Sequence, residues 1–298
     1  MNKIIVILGQ TSTGKSDFAV KLAKKIDGEI ISADSRQVYK GLDLGTGKIT
    51  EEEMQDIPHY LLDIISPKKV FSVSDYKKLA EEKIEDILER KKIPIICGGT
   101  GFYIDSITEG IIYPEVPPNK ELRKELQKKS LSELQKILEE LDLERFKEID
   151  VNNKVRLIRA IEIVESIGKV PKLKKNKKYD ALKIGLTLPD KILKERIYKR
   201  LINRINQGMI EEIKDLYNKD ILSYNKMHKL GLEYRYVGLH LQDKLSKEEM
   251  IKKLNTEIWH FAKRQKIWFK RDKNIIWINP TKEIPQKYEI NLKSFLKK

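Results

Sequence analysis

Eight residues near the amino terminus, Gly9-Gln10-Thr11-Ser12-Thr13-Gly14-Lys15-Ser16, constrain the fold of this chain more than any others. They follow the apolar run IIVIL at 4–8 and precede the amphipathic stretch DFAVKLAKKI at 17–26, which gives the order strand, glycine-rich loop, helix. The octet fits the pattern G-x-x-x-x-G-K-[S/T] without a gap. In such a loop the backbone N–H groups point inward and the helix that follows presents its positive end, so phosphate oxygens are held without side-chain rearrangement. Lys15 adds a point charge, and the Ser16 hydroxyl is placed to hold Mg²⁺. A phosphate chain is therefore expected at residues 9–16. The loop is specific for phosphate and not for reaction; taken alone it points to a nucleotide kinase or ATPase.

Further strand-like runs at Glu29–Ser32 and Ile93–Cys97 alternate with helical patterns at Lys15–Ile26 and Ser74–Arg90. Short buried strands alternating with helices predict an α/β fold, a P-loop NTPase-like parallel sheet flanked by helices. Ligands of such sheets bind at the carboxyl ends of the strands, where the loops Gly9–Ser16, Ala33–Gln37 and Gly98–Gly101 should meet. Prolines at 114, 117 and 118 then break regular structure, and 119–168 reads as consecutive amphipathic helices with no strand. A lysine run, KLKKNKK, precedes ALKIGLTL at 181–188, which looks like a return to the sheet. The expected organisation is a first part of the core at 1–114, an all-helical insertion domain at 115–179, and a return to the core with C-terminal helices at 180–298. The last of these includes a long helix over Lys247–Asp272.

Composition narrows the partners. A net charge of +15 favours a polyanion, provided the basic residues gather where one can lie. The single cysteine, Cys97, sits in the apolar run IPIIC and reads as a buried bystander, and the four scattered histidines make no zinc pattern. No apolar stretch approaches the roughly 18 residues of a membrane span, and no leader pattern precedes the first strand, so a cytoplasmic protein is expected.

Two details count against a kinase. Its second motif ends a buried strand on an acidic residue that helps hold magnesium, whereas IPIIC runs into Gly98-Gly99-Thr100-Gly101. The carboxylate, Asp34, stands instead at the end of the second strand. By type and position it suits a magnesium ligand, an acceptor of protons from a second substrate, or a helix N-cap.

Seven blocks of the chain resemble the tRNA dimethylallyltransferase family in its bacterial form. They are GQTSTGKS at 9–16, ISADSRQVYKGLDLGTGK at 31–48, PHYLLDI at 58–64, PIICGGTGFYI at 94–104, NNKVRLIRAIEI at 152–163, RINQGMIEEI at 204–213 and FAKRQKIWFKR at 261–271. The blocks follow in order along nearly the whole chain, and the helical insertion is itself a family feature. The resemblance implies transfer of the dimethylallyl group from dimethylallyl diphosphate to N6 of the adenosine 3′-adjacent to the anticodon, tRNA position 37. Diphosphate is released. It gives Asp34 the role of general base, and Lys15, Thr13, the loop amides and Mg²⁺ held through Ser16 the role of stabilising the leaving group. Thr100 is implied to contact tRNA near the reacting base, and Asp34, Ser35, Arg36 and Gln37 to meet that base. The anticodon stem-loop would lie against Arg123, Arg156 and Arg159 of the insertion and Lys263 and Arg264 of the late helix. KLGLEYRYVG at 229–238 departs from the shorter Gly-Tyr segment of the family, so Tyr234 and Arg235 receive no role. A monomer without a membrane partner is expected. The alternative is a small-molecule or nucleotide kinase.

Overall fold

The computed structural model describes residues 1–281 and 292–296. Among these, six strands form one parallel sheet: β1 (Asn2–Gly9), β2 (Gly28–Ala33), β3 (His59–Tyr60), β4 (Ile93–Gly98), and, after two strands of a separate pair, β5 (Ile111–Ile112) and β6 (Lys174–Lys175), the strands β7 (Tyr179–Leu186) and β8 (Ile276–Ile278). The order across the sheet is β3-β2-β4-β1-β7-β8, with every described pairing parallel.

The sheet is buried on both faces, which is why its strands read as continuous apolar runs. Ile4, Val6 and Leu8 of β1 pack with Tyr76, Ala80, Ile84 and Ile87 of the helix Val73–Glu89, and with Ile104 and Ile107 of the helix Gly101–Thr108. Ile5 and Ile7 point the other way, onto Ala19, Val20 and Ala23 of the helix Lys15–Ile26. Period-2 alternation within an all-apolar strand thus feeds two cores at once. A third core joins the helices Asp190–Asn206, Met209–Asn218, Tyr224–Leu230, Leu232–His240 and Lys247–Phe269, together with Val38 and Leu42.

Register decides what meets at the carboxyl edge. Leu8 of β1 pairs with Gly98 of β4, and Ala33 of β2 pairs with the same Gly98. Three strands side by side, each about 4.8 Å from the next, therefore release their chains at one level, and the loops after Gly9, Ala33 and Gly98 start as neighbours.

The chain divides into two compact units, Met1–Gly110 with Lys177–Lys298, and Ile111–Asn176. The second holds the helices Lys120–Lys128, Leu131–Leu141, Leu143–Glu148 and Lys154–Ile167 around Leu126, Leu134, Leu138, Leu157 and Ile161. Its ends are tied by the antiparallel pair β5–β6, so Lys174 and Lys175 of the lysine run 172–178 form an exposed strand. β3 and β8, at two and three residues, are too short to leave a periodic signal.

Candidate active site

The loop after β1 takes its shape from its glycines and from hydrogen bonds made within it. Gly14, the N-cap of the helix Lys15–Ile26, has φ of 88°, a left-handed conformation open to glycine at little cost. Thr13 is fully buried, and its Oγ1 donates to the Gln10 carbonyl at 2.8 Å. The Lys15 ammonium donates to the same carbonyl at 2.6 Å. Burial pushes the Lys15 pKa down to about 8; the Arg200 guanidinium acts in the same direction and Asp34 opposes it. Gln10 is itself buried and sends its side-chain amide away from the loop mouth, donating from Nε2 to the Ala262 carbonyl at 3.2 Å.

Asp34 follows β2 directly. Its Oδ1 accepts from the backbone N–H groups of Arg36 at 2.8 Å and Gln37 at 3.4 Å, closing a side-chain-mediated turn. No donor among the described residues is directed at Oδ2. Thr100 joins this turn to the loop after β4: its Oγ1 accepts from the Ser35 N–H at 3.0 Å and donates to Ser35 Oγ at 3.4 Å. Gln37 is committed elsewhere, donating from Nε2 to the Gly47 carbonyl at 3.1 Å and accepting at Oε1 from Ser32 at 3.5 Å.

Two cavities share a wall. One, of about 380 Å³, is lined by Gly14, Lys15, Ser16, Gln37, Gly99 and Arg196. The other, of about 230 Å³, is lined by Ser35, Arg36, Thr100, Leu230, Leu232 and Tyr234. Thr11, Ser12, Asp34, Thr46, Arg200 and Phe261 line both. Asp34 thus faces the phosphate-loop cavity on one side and a more apolar cavity on the other. Cys97 lines the first cavity as a buried thiol whose pKa burial raises to about 12, so it is neutral and unreactive at ordinary pH.

Several lining residues carried no sequence assignment. Arg196, Arg200 and Arg204 recur every fourth residue of the helix Asp190–Asn206, so one face of that helix runs a ladder of guanidinium groups along both cavities. Arg200 donates to the Gly47 carbonyl at 2.9 Å and to Thr11 Oγ1 at 3.4 Å, and burial lowers its pKa. Arg204 pairs with Glu233 at 2.6 Å. The four-residue spacing in RIYKRLINR was the available signal. The segment 229–238 also turns inward: Leu230 to Tyr234 line the smaller cavity, with Tyr234 packed beneath Gly45. Arg235 donates to the His228 carbonyl at 3.1 Å.

Ser16, at the start of the helix Lys15–Ile26, lines the larger cavity together with the carboxylates of Asp34 and Glu53. These are hard oxygen donors of the kind Mg²⁺ accepts, in the small number typical of an ion completed by substrate phosphate and water. Among the described residues no cluster of three or more His, Cys, Asp and Glu side chains forms a protein-only cage. The donor set fits a magnesium–diphosphate pair better than a resident ion.

The basic residues expected to hold RNA divide sharply. In the helical unit, Arg123 donates to Glu162 through Nε at 2.8 Å and Nη2 at 2.6 Å. Arg159 binds the same carboxylate and the Val116 carbonyl. Glu162 is 1 % exposed. Its burial favours the neutral acid, but the two guanidinium groups outweigh this and hold its pKa below the usual carboxylate value. Arg156 is exposed, in a loose 3.6 Å pair with Asp150. Lys263 and Arg264 lie on the outer face of the helix Lys247–Phe269, with Lys263 over the Trp259 ring at 5.3 Å; neither lines either of the two cavities described above.

The family model described as IPP transferase matches residues 37–272. A protein of Treponema denticola named tRNA dimethylallyltransferase 2 is 47 % identical over 282 residues, covering 92 % of this chain and 94 % of its own. The tRNA dimethylallyltransferase of Halothermothrix orenii is 41 % identical, with 93 % and 87 % covered. Among solved structures, the tRNA isopentenylpyrophosphate transferase of Bacillus halodurans superimposes with a TM-score of 0.74 at 32 % identity, over 100 % of this chain and 96 % of that one.

Proposed function

The chain belongs to the IPP transferase family, and from that premise we propose that it transfers a dimethylallyl group from dimethylallyl diphosphate to N6 of tRNA adenosine 37. The observation that carries the reading is the position of Asp34 in the wall common to the two cavities. A diphosphate in the cavity of Lys15 and Ser16 and an adenine entering past Ser35, Arg36 and Thr100 would meet there.

Exocyclic N6 is a poor nucleophile because its lone pair is delocalised into the ring. Asp34 accepts an N6 proton as the N6–C1 bond forms and the C1–O bond of the donor breaks; the electron pair leaves with the diphosphate. General-base help of this kind is worth about 10²–10⁴-fold. Lys15, Arg200 and the loop N–H groups face the charge that grows on the departing oxygen. Thr13 acts from behind the loop, fixing the Gln10 carbonyl on which Lys15 rests. Ser16, together with the diphosphate oxygens, would hold Mg²⁺, which would supply counter-charge to the leaving group. The apolar residues of the smaller cavity, Leu230 and Leu232 among them, keep water from an allylic centre that develops cationic character. Arg156, Lys263 and Arg264 are the exposed cations available to RNA phosphates. No described helix is long and apolar enough to cross a membrane, and the reaction is assigned to the cytoplasmic tRNA pool.

The test is an incubation with radiolabelled dimethylallyl diphosphate, magnesium and unmodified tRNA, without ATP. Label entering tRNA is the expected result. Label entering AMP instead, or transfer of the γ-phosphate of ATP to a small molecule, overturns it.

A further inference from the structure

Gln265 lies on the helix Lys247–Phe269, whose start is fixed by a reciprocal cap between Ser246 and Glu249. The residue is 6 % exposed, between the exposed Lys263 and Arg264 on one side and Ile267 on the other. Both ends of its side-chain amide are used. Oε1 accepts from the Thr11 N–H at 2.8 Å, and Nε2 donates to the Gly99 carbonyl at 2.9 Å. Gly99 leaves room for this contact: a Cβ there would come within 2.3 Å of Gln265 Nε2. One turn earlier, the Ala262 carbonyl takes the Gln10 amide. Beyond Gly99, Thr100 is bonded to Ser35, and Ser35 adjoins Asp34.

Hydrogen bonds and two backbone steps, Gly99 to Thr100 and Ser35 to Asp34, therefore link the phosphate loop through Gln265 to the turn that carries the carboxylate. We propose that Gln265 is a positioning residue that sets the distance between the diphosphate cradle and Asp34. This rests on the transferase reading above. Gln265 also borders the larger cavity, but both ends of its amide are committed to Thr11 and Gly99, so the proposal assigns it no hydrogen bond to either substrate. Its effect is on the geometry of the encounter, where a displacement of about 1 Å costs on the order of 10²-fold in rate. The helix offering Lys263 and Arg264 to a polyanion is also the one that sends Gln265 into the loops, so an RNA seated on its outer face presses on the element that fixes the spacing.

The test combines Gln265→Met, which preserves volume and removes both hydrogen bonds, with Gly99→Ala, which forces the same amide off the carbonyl from the opposite side. With wild type first shown to transfer label into tRNA, each variant is expected to lower kcat about 10–100-fold. Affinity for tRNA should change less than about threefold, any rise in KM for dimethylallyl diphosphate should be smaller than the loss in kcat, and the melting temperature should show each variant folded. The double variant should be little worse than either single one, because both cut one link. Fully multiplicative losses, or a loss confined to KM or to tRNA affinity, overturn the proposal. So does a folded Gln265→Met enzyme with wild-type kcat. If wild type itself fails to modify tRNA, it is the functional reading that fails, and the positioning role falls with it.

Discussion

In the helical unit, Arg123 and Arg159 both end on Glu162, whereas in the sheet unit Arg196, Arg200 and Arg204 are strung along two cavities with one described carboxylate partner, Glu233 on Arg204. The same residue type at similar helical spacings is spent internally in one place and left facing a void in the other. A basic residue is thus no guide to a polyanion until its partners are counted. Arg123 and Arg159, which by sequence alone look like phosphate ligands, hold a buried carboxylate; Arg200, which carried no sequence assignment, faces both cavities. Substitutions around the cavities are therefore expected to alter rate and leave stability nearly untouched, and those around Glu162 to do the reverse.

The largest effect is expected at Asp34. With Oδ1 committed to its own turn, Asp34→Asn preserves the acceptor at that oxygen and removes the base at the other. Turnover should fall about 10²–10⁴-fold with tRNA binding and melting temperature retained, as measured by single-turnover label transfer and filter binding. Activity within threefold of wild type removes Asp34 from the proton transfer.

The next effect is a pH dependence. The Lys15 pKa of about 8 lies below the ordinary lysine value, so the free protein loses this cation as pH rises through about 8 instead of near 10.5. Diphosphate favours the charged form, so binding above pH 8 must take up a proton. KM for dimethylallyl diphosphate should be flat below that pH and rise up to about tenfold per unit above it. Lys15→Arg, which stays charged, should abolish the rise even if it weakens binding overall. A wild-type profile flat to pH 10 would show that Lys15 does not face the diphosphate.

A smaller effect, read in stability, is expected in the helical unit. Removing one partner of a fully buried ion pair costs about 3–5 kcal/mol. Here both guanidinium groups are about a third exposed, at 34 % and 35 %, so water compensates in part. Glu162→Gln should cost about 2 kcal/mol, seen as faster limited proteolysis within 111–176 and an earlier urea transition, with kcat on bound tRNA unchanged. Stability within 0.5 kcal/mol of wild type, on the scale of a surface change, would return Arg123 and Arg159 to the RNA-contact candidates.

How much of this was legible in the sequence follows from the length scale of each signal. The phosphate loop and β1, β2, β4 and β7 are plain because each writes its structure in four or more consecutive residues. That the loops after Gly9, Ala33 and Gly98 share one edge follows from a parallel sheet, while their being neighbours depends on the order β2-β4-β1 and its register. The two-residue β3 and three-residue β8 owe their pairing to neighbours distant in sequence and have no local pattern. Partners were the least legible. Nothing near Arg123 in sequence announces Glu162, 39 residues away, and nothing near Thr11 announces Gln265, 254 residues away. The segment 229–238 carries no local pattern for its lining role, and the burial of Tyr234 beneath Gly45 depends on the third core, assembled from five helices.

Arg156 carries the smallest effect and the cleanest separation of the two uses of arginine. It shares a helix with Arg159, three residues on, yet its side chain is 58 % exposed and its pair with Asp150 is long. An exposed pair of this kind contributes about 0–1 kcal/mol, so Arg156→Ala should leave the urea transition within error of wild type. If its guanidinium meets a tRNA phosphate, the same change lowers affinity only a few-fold. The slope of log affinity against log salt should also become shallower by about 0.7–0.9, one counterion's worth. Arg159→Ala should do the opposite, shifting the urea transition before it alters the slope. A slope unchanged by Arg156→Ala would mean that this helix offers RNA no charge at that position, and the polyanion surface would then have to be sought along Lys263 and Arg264 alone.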